Sequence, residues 1–178
     1  MANNTVVLNG SYAPFVEDEY DAGEGGILPG HALGLDAGGD VVRHSGDSST
    51  LDTNAVGKGL FADVSKSNPM LDKSDAYPSG ERVSVQFVPI GGKVDAFLAS
   101  GSDLDDASRA DVDPTVVLEH VDAGALAAHD GVDTTGDGTG DLSETVYASG
   151  ALYLPLEAVD NSDAPAGEQT RVEVVRVA

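Results

Sequence analysis

Apolar and polar residues alternate with period two in several short stretches of this chain, a spacing that predicts β-strands. The clearest is ERVSVQFVPI, where Val83, Val85 and Phe87 fall on one face and Ser84, Gln86 and Val88 on the other. β-Branched and aromatic residues at alternate positions suit a pleated, half-buried surface. Gly91 and Gly92 then supply a turn, a second strand follows around Val94 to Leu98, and the two strands are expected to form a hairpin. Upstream, GGILPGHALGLDAGGDVVRHS (Gly25 to Ser45) carries strands near His31 to Leu35 and Asp40 to His44, joined by the turn signal AGGD. AVGKGLFADV, Ala55 to Val64, is a glycine-containing strand pattern, and Ser65 to Gly80, with Pro69 and Pro78, is a loop.

Downstream of Gly101 the chain turns polar and acidic, and Ser102 to Ala110 could hold a helical turn. TVVLEHV resumes strand character, AGALAAHDG is a short strand or a turn of helix, and GVDTTGDGTGDLSE is a loop. TVYASGALYLPLEAV and the terminal TRVEVVRV are strand-like again. Many short strands with regular turn signals, and no long amphipathic helix, predict an all-β fold, a small β-barrel or sandwich. Met1 to Glu24 is set apart as an extended N-terminal arm, with a Val-rich start at Thr5 to Leu8 and an acidic stretch at Glu17 to Asp21; residues 25–178 form the barrel domain.

A length of 178 residues fits one core. The 31 Asp and Glu against 9 Lys and Arg give a formal charge of −22, which changes the expected surroundings of the protein. Such a surface repels itself in dilute buffer, whereas molar salt shortens the screening length to about 3 Å. The composition therefore fits a halophile. It also argues against nucleic acid as a partner, since phosphate contacts need clustered Lys and Arg. Disorder, the usual alternative for an acidic chain, is countered by a 40% hydrophobic content arranged in alternating segments. Without cysteine there are no disulfides, thiolate metal sites or Cys nucleophiles. No apolar run reaches the roughly 18 residues needed to span a bilayer, and the N-terminus has neither a basic nor an apolar signal region, so a soluble protein with no membrane partner is expected.

Candidate chemistry is sparse. His31, His44, His120 and His129 are dispersed, with no HxxxH or HxH pair to suggest zinc, and are expected to be strand or turn residues. No GxSxG frames a serine nucleophile, and acidic residues are too abundant for any pair of them to mark a glycosidase. In DGVDTTGDGTGD, Asp130, Asp133, Asp137 and Asp141 offer hard oxygen ligands for a Ca or Mg ion, with spacing unlike an EF-hand; the alternative is a solvated acidic loop. Gly38, Gly39, Gly91 and Gly92 follow hairpin logic rather than that of a phosphate cradle. The arm can add a strand to a neighbour's exposed sheet edge, with Tyr12, Pro14 and Phe15 as anchors, or it can pack on its own barrel.

The succession GGILPGHALGLDAGGDVVRHS, AVGKGLFADV, YPSGERVSVQFVPIGGKVDAFLASG and the closing LEAVDNSDAPAGEQTRVEVVRV resembles the capsid decoration, or cement, proteins of tailed viruses. The likeness runs from Gly25 to Ala178 and departs in the insertion-like Asp130 to Glu144 and in the acidity, which look like a haloarchaeal virus version. It implies a non-enzymatic β-barrel on the capsid exterior, assembled in the host cytoplasm. Its partners would be the major capsid protein and itself, as a homotrimer, and its role would be to strengthen the shell against internal DNA pressure. A tail or other virion component shares these features. A halophile cell-surface binding module would call for an aromatic platform, whereas Trp is absent, and an enzyme would call for convergent titratable groups.

Overall fold

The computed structural model describes residues 16–45, 59–64, 72–106, 111–112, 116–128 and 151–177. The fold is nearly all β, as the alternation predicts. Five strands, β1 (Val16–Asp21), β2 (Ala32–Leu35), β3 (Val41–Arg43), β4 (Leu60–Ala62) and β5 (Arg82–Phe87), make an antiparallel sheet in the order β1-β5-β4-β2-β3. Strand β6 (Lys93–Leu98) opens the second sheet, and β7 (Asp105–Asp106) and β8 (Asp111–Val112) form a separate two-stranded ribbon. With β9 (Leu118–His120), β10 (Leu126–Ala128), β11 (Tyr153–Pro155) and β12 (Thr170–Arg176), β6 closes a five-stranded barrel in the order β10-β6-β12-β11-β9. Among the described residues the only helical element is a 3-10 turn at Asp122–Gly124.

The expected strands near His31 to Leu35 and Asp40 to His44 are β2 and β3, paired as Leu33 with Arg43 and Leu35 with Val41 around a turn at Gly39. Within the expected arm, Glu17 to Asp21 lies in strand β1, which pairs with β5, Tyr20 opposite Val83 and Asp21 opposite Arg82, with a bulge between Glu17 and Tyr20. Of the expected helical turn in Ser102 to Ala110, Asp105 and Asp106 are strand, and residues 107–110 lie outside the described residues. One expectation is corrected. The segments around Val85 and Val94 do not form a hairpin. β5 lies between β1 and β4, whereas β6 pairs with β12 from Thr170 opposite Leu98 to Val175 opposite Lys93. The Gly91–Gly92 turn passes the chain from one sheet to the other, and its Gly91 N–H donates to Arg176 O at 2.7 Å, anchoring it on the end of β12.

Two apolar clusters fill the molecule. Ile27, Leu33, Val41, Leu60, Tyr77, Val83 and Val85 line the first sheet. The second cluster fills the barrel with Val94, Ala96, Leu98, Leu118, Leu126, Tyr153, Val172 and Val174, and it also takes in Ala32, Phe61 and Val88 from the first sheet and the end of its last strand. The two sheets therefore share a core, since burying an apolar face against another element is what stabilises each of them. Along β12, Val172, Val174 and Arg176 are buried while the residues between are half-exposed, which is the strand period.

Candidate functional site

The seam between sheet and barrel gathers most of the buried polar chemistry of the described residues, in two clusters. In the first, His44 lies just beyond β3 and His120 ends β9; their imidazoles sit 4.5 Å apart, centroid to centroid. His120 Nε2 lies 3.1 Å from Tyr153 Oη. Phe61 of β4 meets the Tyr153 ring edge-on at 5.6 Å. Arg176 closes the group: it is buried on the inward side of β12, and its Nη1 donates to Val88 O at 2.8 Å. Gly59 makes room for this guanidinium. Its φ is +63°, and an added Cβ would stand 2.7 Å from Arg176 Nη1 and 3.1 Å from Tyr153 Oη.

The second cluster spans the seam on the outer side of β6 and β12. Leu28 N–H donates to His31 Nδ1 at 2.9 Å, so Nε2 carries the proton and donates to Gln169 Oε1 at 3.1 Å. The His31 ring packs on Phe97 at 4.6 Å, and Arg171 lies over the opposite partner of that contact, 4.5 Å from the Phe97 centroid. Arg171 Nη2 donates to Pro29 O at 2.8 Å and to Lys73 O at 2.9 Å. Lys73 Nζ in turn reaches Asp95 Oδ2 at 2.6 Å. Beside His31, Glu24 accepts from the Arg43 N–H at 2.6 Å and from Arg43 Nε at 3.1 Å.

Burial sets the electrostatics of the seam. It pushes His31 down to about 4, against the hydrogen bond that His31 donates to Gln169, which works the other way, with Arg43 and Arg171 adding to the depression. Burial lowers His44. It holds His120 well below its ordinary range, helped by His44 and Arg176, and it raises Tyr153. For Glu24, burial acts upward, but the hydrogen bonds and charge of Arg43 outweigh it and leave the carboxyl below its usual value. All three described histidines are thus neutral at pH 7 and serve as packing and hydrogen-bonding groups. The His120–Tyr153 contact is wholly enclosed, so neither ring meets solvent.

Sequence reasoning placed its candidate residues elsewhere. Tyr12, Pro14 and Phe15 of the arm and Asp130, Asp133, Asp137 and Asp141 of the acidic loop lie outside the described residues, as does His129. Among the described residues no group of three or more His, Asp or Glu is arranged to hold a metal ion. The seam itself had one readable signal, the parity of TRVEVVRV, which puts Arg176 on the same face as Val172 and Val174. The meeting of His44 with His120 had none, because it joins segments 76 positions apart in chain number through tertiary packing. No protein-family model matches the sequence, and no curated protein matches it at a significant level.

Proposed function

We propose that this chain is a non-enzymatic virion structural protein, a salt-adapted capsid decoration protein that binds the outer surface of the capsid lattice as a homotrimer and stabilises the head. The observation that carries the reading is the contrast between the two sheets. The barrel is closed and offers no free edge, whereas the first sheet ends at β1, whose far side pairs with no strand along Val16–Asp21 among the described residues. An unpaired edge is a template for another chain, through main-chain hydrogen bonds that need no particular side chains. The sequence immediately before this edge holds Tyr12, Pro14 and Phe15, residue types that anchor interfaces. A rigid barrel joined through a shared core to an edge-bearing sheet suits a protein whose work is adhesion to neighbouring subunits.

The test is quantitative mass spectrometry of purified particles, comparing copies of this chain with copies of the major capsid protein. A ratio near unity supports shell decoration. A few copies per particle would move the chain to the tail or a vertex, and its absence from particles would sink the virion reading. Replacing Tyr12 and Phe15 together with Ala is expected to weaken attachment to bare capsids by roughly tenfold or more.

A further inference from the structure

The chain has sheet on both sides just after β1 and on one side along it. Toward β5, Ala22 N–H donates to Glu81 O at 2.8 Å and Gly80 N–H donates to Ala22 O at 2.8 Å. On the opposite side Ala22 forms a parallel bridge with Val41 at the start of β3, and Gly23 N–H donates to Val41 O at 2.9 Å. Before that bridge, Val16–Asp21 pairs with β5 and, among the described residues, with no second strand. Next to the start of β3 stands the β2–β3 turn, which Asp36 organises by accepting from Gly38 N–H at 2.7 Å and from Asp40 N–H at 3.0 Å. We propose that this half-closed edge docks an extended segment of a different protein that carries Lys or Arg at alternate positions, and that it does not pair with a second copy of this chain.

Main-chain groups make the edge receptive, and charge selects its occupant. Four of the six residues of β1 are acidic: Glu17, Asp18, Glu19 and Asp21. The β2–β3 turn adds Asp36 and Asp40 beside Gly23, where a Cβ would stand 3.1 Å from Asp36 Oδ2 and 3.3 Å from Asp40 Cβ. The cations described at this corner are Arg82, 3.7 Å from Asp21, and Arg43, 3.1 Å from Glu24, so acids outnumber them. Antiparallel pairing of β1 with another β1, residue for residue, brings Asp18 and Glu19 opposite each other twice. Like charges directly opposite in a ladder are destabilising, whereas a cation at the same position is stabilising.

No segment of this chain supplies the basic strand. Residues 1–15 hold no charged side chain. Of the 9 Lys and Arg, only Arg171 and Arg176 fall within six consecutive residues, and both lie in β12, which pairs with β6 on one side and β11 on the other. A second copy therefore offers β1 no cationic partner, and the occupant is foreign. This rests on β1 being the attachment edge, and it names the chemistry which that edge meets on the capsid: an extended basic segment, with β1 left out of the contacts between copies of this chain. Screening over about 3 Å in molar salt removes long-range steering, but cross-strand partners about 5 Å apart keep part of their attraction, so charge acts as a selector at contact range.

Peptide binding to the full-length protein tests this. The probes are a synthetic peptide alternating Lys and Thr, its Glu and Thr counterpart, and the Lys peptide with every backbone amide methylated, which keeps the charge and loses the donors. Fluorescence anisotropy in about 0.5 M KCl is expected to show the Lys peptide bound at least roughly tenfold more tightly than either control, with its lead over the Glu peptide narrowing as KCl rises. Hydrogen exchange should place the gain in protection at Val16–Asp21, with β12 unchanged. The triple variant Glu17→Gln, Asp18→Asn, Glu19→Gln should lose roughly tenfold in affinity for the Lys peptide, and if it does not fold the three peptides on the unaltered protein still decide. Binding of the Glu or the methylated peptide as tight as that of the Lys peptide, no binding of any, protection gained elsewhere than β1, or pairing of β1 with itself as concentration rises would each overturn the proposal. Copy number in particles tests the virion reading separately: a chain absent from particles that still takes the Lys peptide at β1 loses that reading and keeps the edge chemistry.

Discussion

Arg176 shows how one buried polar residue constrains its neighbours. A guanidinium cannot be deprotonated, so it must be hydrogen-bonded where it lies, and Val88 O at 2.8 Å provides one such partner. Its planar head also sets the space allowed to Gly59, which is why Gly59→Ala is expected to cost about 2 kcal/mol or more, combining steric crowding at 2.7 Å with an unfavourable φ of +63°. The crowding component should shrink when Arg176 is also truncated, so a double-mutant cycle followed by denaturant unfolding should show coupling between the two sites. Additive effects would mean that the backbone conformation alone demands glycine. Tyr153→Phe removes the hydroxyl 3.1 Å from His120 Nε2 and strands a buried imidazole nitrogen. A loss of about 1–2 kcal/mol is expected by the same measurement, with near-UV circular dichroism showing that the fold is retained.

At the scale of elements, strands were legible where a side-chain period reported them, and pairings were not. Val83, Val85 and the β12 valines alternate because each faces a core, so β5 and β12 could be read from the sequence alone. Their partners depend on what else the chain brings alongside: β6 follows β5 after a glycine turn, yet its ladder is with β12, about 75 residues later in the chain, because that pairing completes the barrel around Val94, Ala96 and Leu98. β1 was hidden for a different reason. An edge strand is held by backbone hydrogen bonds on one side, so VEDEYD can serve without an apolar period, and its charges suit an edge that must not aggregate. The seam was equally unreadable, since His31, His44 and His120 carry no local signature and acquire their meaning only when the two sheets meet. The pairing map predicts the order of opening: amides of the six-register β6–β12 ladder should exchange more slowly than those of the two-residue β7–β8 ribbon. Equal protection in both would contradict the barrel as the most stable unit.

For the whole molecule, the decisive quantity is the charge of −22 on a chain with only 9 basic residues. The described ion pairs consume several of those few cations: Arg43 with Glu24, Lys73 and Arg171 with Asp95, Arg82 with Asp21, and Lys93 with Glu173. With 9 cations for 31 carboxylates, most of the acidic side chains have no cation of the protein's own to offset them, and the folded state concentrates their repulsion relative to the extended chain. Salt acts on this repulsion over a length of about 10 Å at 0.1 M and about 3 Å at 1 M, so added salt should stabilise the fold steeply at first and more gradually once neighbouring carboxylates are screened. The exposed pairs work against that trend, because salt weakens them too, but each contributes only about 0–1 kcal/mol, so the many unpaired carboxylates dominate. The melting temperature is accordingly expected to rise by roughly 10 °C or more between about 0.1 M and about 3 M KCl, several kcal/mol in a domain of this size. Replacing KCl with a neutral osmolyte of equal osmolality separates screening from preferential exclusion, since an osmolyte strengthens burial without screening charge. A melting temperature indifferent to KCl, or raised equally by the osmolyte, would show that the acidic surface is not what limits stability, and would remove the physical ground for a salt-adapted particle protein.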